Sequence, residues 1–178
     1  MITLVPIGEV EKSALETLRQ PLMEAFSQRT WLGDDVELTK GSWNQRRGQY
    51  LASVLLAELP SPSADDRVLG VVDVDIFAPG LNFVFGEADI VGRRALISLT
   101  RLRQEFYGLP RDENLFHKRA LKEAVHELGH TYGLKHCHNS TCVMHFSNSL
   151  HDTDLKGWNF CPICQRKIGK KYSQTFHI

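Results

Sequence analysis

The sequence predicts an α/β fold, a mixed twisted sheet with one antiparallel strand at its edge. Three observations carry that expectation. In the first half, short runs rich in Ile, Leu and Val alternate with stretches of helical periodicity, the pattern of strands joined by right-handed crossovers. Residues 81–90 partly alternate apolar and polar side chains but lie too close to the next apolar run for a crossover helix, so this strand should be antiparallel and outermost. Residues 113–134 form a long amphipathic pattern that carries the chain's densest polar cluster. No repeat, low-complexity tract or linker divides the chain, and residues 1–178 are expected to be a single domain.

In order, residues 2–7 read as the first strand. Residues 10–28 follow as a helix, with Val10, Ala14, Leu15, Leu18, Leu22, Ala25 and Phe26 at helical spacing and Pro21 as an irregularity. Val36 and Leu38 suggest a short strand. Asn44 is a candidate cap for a second helix to about Leu59, with Leu51, Val54, Leu55 and Leu56 inward. Residues 60–63, Pro-Ser-Pro-Ser, break it. The run from Val68 to Phe77 begins as a strand buried on both faces and then alternates with acids. Phe83 and Phe85 mark the edge strand, and residues 94–102 read as one more. Glu113 and Asn114 open the long helix, whose stripe is Leu121, Ala124, Val125 and Leu128. The last 40 or so residues carry little strand signal, apart from a short helix after Cys164.

Composition narrows the function. Among 178 residues, 42% are hydrophobic and 24% charged, as in a water-soluble globule. Basic and acidic residues balance at 21 each, which argues against a nucleic-acid or membrane-surface role. No apolar run approaches the roughly 20 residues that span a bilayer. The N-terminus has no basic segment before its apolar stretch, so a first strand and a cytoplasmic location are expected. Four cysteines in that compartment favour metal ligation over disulfides.

The chemistry gathers in residues 126–137, His-Glu-Leu-Gly-His-Thr-Tyr-Gly-Leu-Lys-His-Cys. A helix turns about 100° per residue, so His126 and His130 project from one face a turn apart and can share a zinc ion. Glu127 lies on the flank of that pair, where a carboxylate can act as a base without becoming a ligand. Gly133 can adopt positive φ and turn the chain back, and His136 then approaches the same ion. Three neutral nitrogens leave one tetrahedral position open, as in a catalytic rather than a structural zinc site.

Cys137 follows the third histidine, Cys142 lies five positions later, and Cys161 and Cys164 form a Cys-Pro-Ile-Cys clip. All four are assigned to one closed structural zinc site, a staple for a segment too polar to hold itself together. The competing assignment, a redox Cys-x-x-Cys, lacks its usual βαβ setting. Met144, shortly after the third histidine, is placed beneath the metal as a hydrophobic floor. His117, His138, His145, His151 and His177 show no ligand spacing and are read as surface or local hydrogen-bonding residues.

Together these residues resemble the archaemetzincins, a branch of the metzincin metallopeptidases. The match rests on His126-Glu-Leu-Gly-His130-Thr-Tyr-Gly-Leu-Lys-His136, on Cys137, Cys142, Met144, Cys161 and Cys164, and on an edge-strand-like segment from Leu81 to Ala88. The resemblance implies a metzincin-like fold and a zinc-dependent peptidase. In that family's terms His126, His130 and His136 are catalytic zinc ligands, Glu127 is the general base and acid, the cysteines hold a second zinc, and Met144 is the Met-turn. It implies an extended peptide or protein substrate along the edge strand near residues 82–87, with Gly86 either allowing close backbone approach or marking a bulge. A monomer is expected. Two other functions compete: a zinc-stabilised peptide binder without turnover, disfavoured by the intact Glu127, and a metal-dependent RNA nuclease, disfavoured by the absence of a basic excess.

Overall fold

The computed structural model describes residues 1–173, so His177 lies outside the described residues. Its main sheet has five strands: β1 (Ile2–Ile7), β2 (Thr30–Leu32), β5 (Arg67–Val72), β7 (Gly86–Asp89) and β8 (Arg94–Ser98), in the order β2-β1-β5-β8-β7. The pairs β1–β2, β1–β5 and β5–β8 are parallel, with Ile2 opposite Arg67 and Ile7 opposite Val72. Only β7 runs antiparallel, with Gly86 opposite Ile97 and Asp89 opposite Arg94. A second sheet joins β3 (Trp43–Asn44), β4 (Gln49–Leu51) and β6 (Ile76–Phe77).

Both faces of the main sheet are covered, as its apolar central strands require. Helix α1 (Lys12–Phe26) and helix α3 (Glu113–Thr131) supply Leu15, Leu18, Leu22, Phe26, Val125 and Leu128 to one face, against Leu4, Leu69 and Ile97. Helix α2 (Ala52–Glu58) covers the other with Ala52, Leu55 and Leu56, against Val5, Val72 and Leu96. Each fully buried aliphatic side chain contributes about 1.5–3 kcal/mol relative to exposure. Pro21 does not end α1, which runs on to Phe26 and stops at Ser27 in the left-handed region.

Several boundaries differ from the sequence reading, each for a local reason. Val36 makes a single bridge to Ile7 rather than a strand; the outer strand is instead Thr30–Leu32. Asn44 does not start a helix. It sits in β3, and its Oδ1 accepts the Arg47 N–H at 3.1 Å, so the same capping chemistry closes a turn. The edge strand is shorter than residues 81–90, because the preceding stretch is a loop fixed from outside: Arg47 donates to the carbonyls of Leu81 and Asn82, both at 2.8 Å. Strand β8 ends at Ser98 and passes into 3-10 turns at Thr100–Leu102 and Gln104–Tyr107. Beyond α3 come α4 (Leu150–Leu155) and α5 (Pro162–Ser173); α4 had no counterpart in the sequence reading.

Candidate metal centre

Helix α3 fixes the first two histidines. Asp112 caps it, accepting the Leu115 N–H at 2.9 Å. Its far end closes on Gly133, at φ 76°: Gly133 N–H bonds His130 O at 2.7 Å, and Leu134 N–H bonds Gly129 O at 3.1 Å. This is a Schellman closure, which reverses the chain at once and returns His136 to the helix. The His136 ring centroid lies 5.3 Å from that of His126 and 5.0 Å from that of His130.

Hydrogen bonds settle which ring nitrogens are free. His126 Nδ1 lies 2.8 Å from Val143 O, and His130 Nδ1 lies 2.8 Å from Leu134 O. A carbonyl only accepts, so both Nδ1 atoms carry the proton, and both Nε2 lone pairs are free in the neutral rings. Those two Nε2 atoms face each other at 3.1 Å. Two lone pairs at that distance repel unless a cation lies between them. A tetrahedral zinc with about 2.0 Å bonds has a ligand–ligand edge of about 3.3 Å. Burial holds all three imidazoles below their ordinary pKa, His126 furthest, so they offer lone pairs to a metal at neutral pH.

Glu127 is 7% exposed and lies against the edge strand. A Cβ on Gly86 would stand 2.5 Å from Glu127 Cγ and 2.5 Å from Leu96 O. Gly86 is paired in register with Ile97, so the glycine marks close approach of Glu127 and not a bulge. Burial pushes the Glu127 carboxyl up to about 8; Glu123 adds to the rise, Lys156 opposes it, and Glu87 adds further. A bound divalent cation would pull it back down.

Beneath the helix, Met144 is fully buried, and a Cβ on Gly129 would fall 2.4 Å from its sulfur. The helix therefore carries glycine where the methionine floor meets it. Cys137 N–H donates to Met144 O at 2.8 Å, tying the segment after His136 to that floor. The four cysteine sulfurs lie within 4.8 Å of one another, as do the donor atoms of the three histidines. Cys137 and Cys161 sulfurs are 3.9 Å apart, far beyond a disulfide and close to the about 3.8 Å edge of a four-thiolate zinc. Cys161 N–H also donates to Cys142 Sγ at 3.3 Å. The backbone N–H of Cys164 lowers the Cys161 thiol to about 7.

The other described histidines are not members of these two groups. His145 Nδ1 bonds Cys137 O at 2.9 Å, and His117 lies 3.6 Å from Glu113. His138 and His151 are exposed. Sequence reasoning missed a buried ion pair beside the centre. Lys156, fully buried, donates to Glu123 Oε1 at 3.0 Å, and Thr153 Oγ1 donates to the same oxygen at 3.0 Å. Arg119 grips Asp154 through two bonds of 2.7 and 2.6 Å, and Lys122 Nζ donates to the carbonyls of Thr153 and Asp154 at 2.9 and 3.0 Å, so Arg119, Lys122 and Glu123 of α3 all bond to α4.

A cleft of about 440 Å³ opens above the histidines. It runs between β7 and the segment after Met144, and Phe83, Phe85, Glu123 and Phe146 are among its walls. Ser98 N–H bonds Phe85 O at 2.8 Å, which sets the alternation of the antiparallel pair. Phe85, Glu87 and Asp89 direct their main-chain groups to β8, and Gly86 and Ala88 direct theirs to the open side.

Peptidase family M54 matches residues 24–170. The chain belongs to that family. It is a zinc metallopeptidase, a hydrolase, and its relatives include archaemetzincins. It is 47% identical over 167 residues to the archaemetzincin of Methanocaldococcus jannaschii, covering 94% of this chain and 92% of that protein. The crystal structure of the Archaeoglobus fulgidus archaemetzincin, a malonate complex, superposes with a TM-score of 0.83 at 38% identity, covering 94% of this chain and 99% of that one. That of Methanopyrus kandleri gives 0.84 at 36%, covering 97% and 96%. The family read from the histidine and cysteine motifs is thus the one these comparisons return, and the M54 fold is the mixed α/β architecture described above. No helix among the described residues is long and apolar enough to cross a membrane.

Proposed function

We propose that this M54 member cleaves peptide bonds at a zinc held by His126, His130 and His136, and that Glu127 moves the protons. The observation that carries this reading is the pair of Nε2 atoms facing each other at 3.1 Å while both Nδ1 atoms are committed to carbonyls. When bound there, zinc supplies a Lewis acid that polarises the scissile carbonyl and makes water nucleophilic near neutral pH.

The chain's own residues do the rest. Glu127 takes the proton from the attacking water and delivers it to the leaving amine nitrogen as the C–N bond breaks. Its carboxylate is held for this between α3 and Gly86, with little freedom to turn away. The substrate lies extended and antiparallel along β7, bonded through the main-chain groups of Gly86 and Ala88. His126 and His130 keep their orientation through Val143 O and Leu134 O. Cys137, Cys142, Cys161 and Cys164 hold a second, structural zinc, which fixes Cys137 and so aims its neighbour His136. Residues 1–178 act as one catalytic domain.

The test is cleavage of a peptide library by the zinc-loaded protein and by Glu127→Ala, with metal analysis of both. Two zinc ions per chain in each, and cleavage only with Glu127 present, are expected. Two zincs with tight peptide binding and no turnover in either protein would replace the peptidase by a peptide binder.

A further inference from the structure

Among the described residues, two buried side-chain oxygens have no hydrogen-bond partner, Glu87 Oε2 and Ser147 Oγ. Both residues line the cleft, Glu87 from β7 and Ser147 from the segment after Met144. Leaving such oxygens dry and unpartnered is costly, and a cleft is where a ligand can bring the missing donors. The described lining includes the carboxylates of Glu87, Glu123 and Glu127 and no lysine or arginine. Glu123 is already matched by Lys156 and Thr153, and Glu127 is assigned to proton transfer. That leaves the half-buried Glu87 as the carboxylate that nothing neutralises.

We propose that Glu87 is a specificity residue, selecting peptides that place a lysine or arginine side chain beside it. The inference rests on the substrate strand running along β7. Successive side chains on a strand point to opposite faces. A peptide strand paired to β7 therefore sets one of its side chains on the Glu87 face, with Cβ atoms about 4.5–5.5 Å apart. A cationic side chain there donates to the Glu87 carboxylate and matches its charge. Charge-assisted bonds are the strong ones, and partial exclusion of water strengthens them further. The carboxyl's pKa is raised by burial, as expected of a carboxylate that lacks a counter-charge. A glutamate in the same subsite meets like charge.

The experiment uses a set of unstructured peptides in which each position in turn holds lysine, norleucine or glutamate. It reads kcat/KM on the zinc-loaded parent, and Kd by calorimetry on Glu127→Ala. Lysine is expected to exceed norleucine by about tenfold or more at one position, and glutamate to fall below both. Within Glu87→Gln the lysine-to-norleucine ratio should collapse to near one. In Glu87→Lys the preference should turn to glutamate, which no general loss of structure would produce. Equal ratios at every position in the parent, or a lysine preference that survives in Glu87→Gln, overturn the assignment. Should the parent bind but not cleave any peptide, the hydrolytic reading fails while the calorimetric ratios still decide Glu87.

Discussion

Replacing Gly86 by alanine tests how closely the base is held. The new Cβ would lie 2.5 Å from Glu127 Cγ, 2.9 Å from its Cδ and 2.5 Å from Leu96 O. Carbon atoms in contact sit about 3.5–4.0 Å apart, so Glu127, or β7 itself, must move by about 1 Å. Glu127 is 7% exposed and has little room to yield. A misplacement of about 1 Å costs on the order of a hundredfold in rate, and that loss should fall mainly on kcat. Overpacking of this kind costs about 1–3 kcal/mol of stability, a Tm decrease of about 2–4 °C for each kcal/mol in a domain of this size. None of the three nearest atoms belongs to a histidine, so zinc content should not change. Steady-state kinetics, metal analysis and thermal melts on one preparation supply all three numbers. A Gly86→Ala protein with full zinc and kcat within about threefold of the parent would refute the claim that this glycine sets the position of the base.

The remaining predictions concern the supports of the site. Glu127→Ala should retain its metal and lose about 10²- to 10⁴-fold in kcat/KM, read from peptide cleavage beside metal analysis. Lys156→Met leaves Glu123 buried without its cation and should cost about 3–5 kcal/mol in denaturant melts, whereas Lys156→Met combined with Glu123→Leu should recover most of the loss; equal losses in both would show that the charge pairing is not the cause. Cys161→Ser should lower metal content from two ions per chain toward one and reduce Tm, since a thiolate site of this type contributes on the order of 10 kcal/mol. The fourth concerns pH. Burial raises the Glu87 carboxyl in the folded state, so this group favours folding only below its unfolded pKa, and that contribution disappears as pH rises through the folded value. Glu87→Gln should therefore be at least as stable as the parent at neutral pH, and the gap should close on acidification toward pH 4. A gap that widens on acidification contradicts this.

Local pattern carried the reading furthest where one residue type does one job at fixed spacing. His126, His130, Gly133 and His136 were legible because helix geometry and a glycine turn bring them together within eleven residues. The antiparallel edge strand was legible from the shortness of its connection to β8. What escaped depends on partners far along the chain. Thr30–Leu32 is a strand because β1 offers it a parallel edge, and three residues hold too little pattern to announce that. Asn44 shows the ambiguity of a capping residue, which serves a turn and a helix start alike. Lys156 reads as surface in any sequence, since a lysine is buried only when a carboxylate waits for it, and Glu123 lies 33 positions earlier. Gly86 was read as a bulge or as a point of close backbone approach; the neighbour that demands a glycine there is instead the Glu127 side chain, 41 positions along the chain.

Diffraction from zinc-loaded crystals, with anomalous differences at the zinc edge, addresses the core of the account. It predicts one peak about 2.0–2.1 Å from Nε2 of His126 and of His130 and from the ring of His136, with no protein atom in the fourth position. A peak there closed by a fourth side chain, or none among these rings while the cysteine cluster is filled, would contradict it.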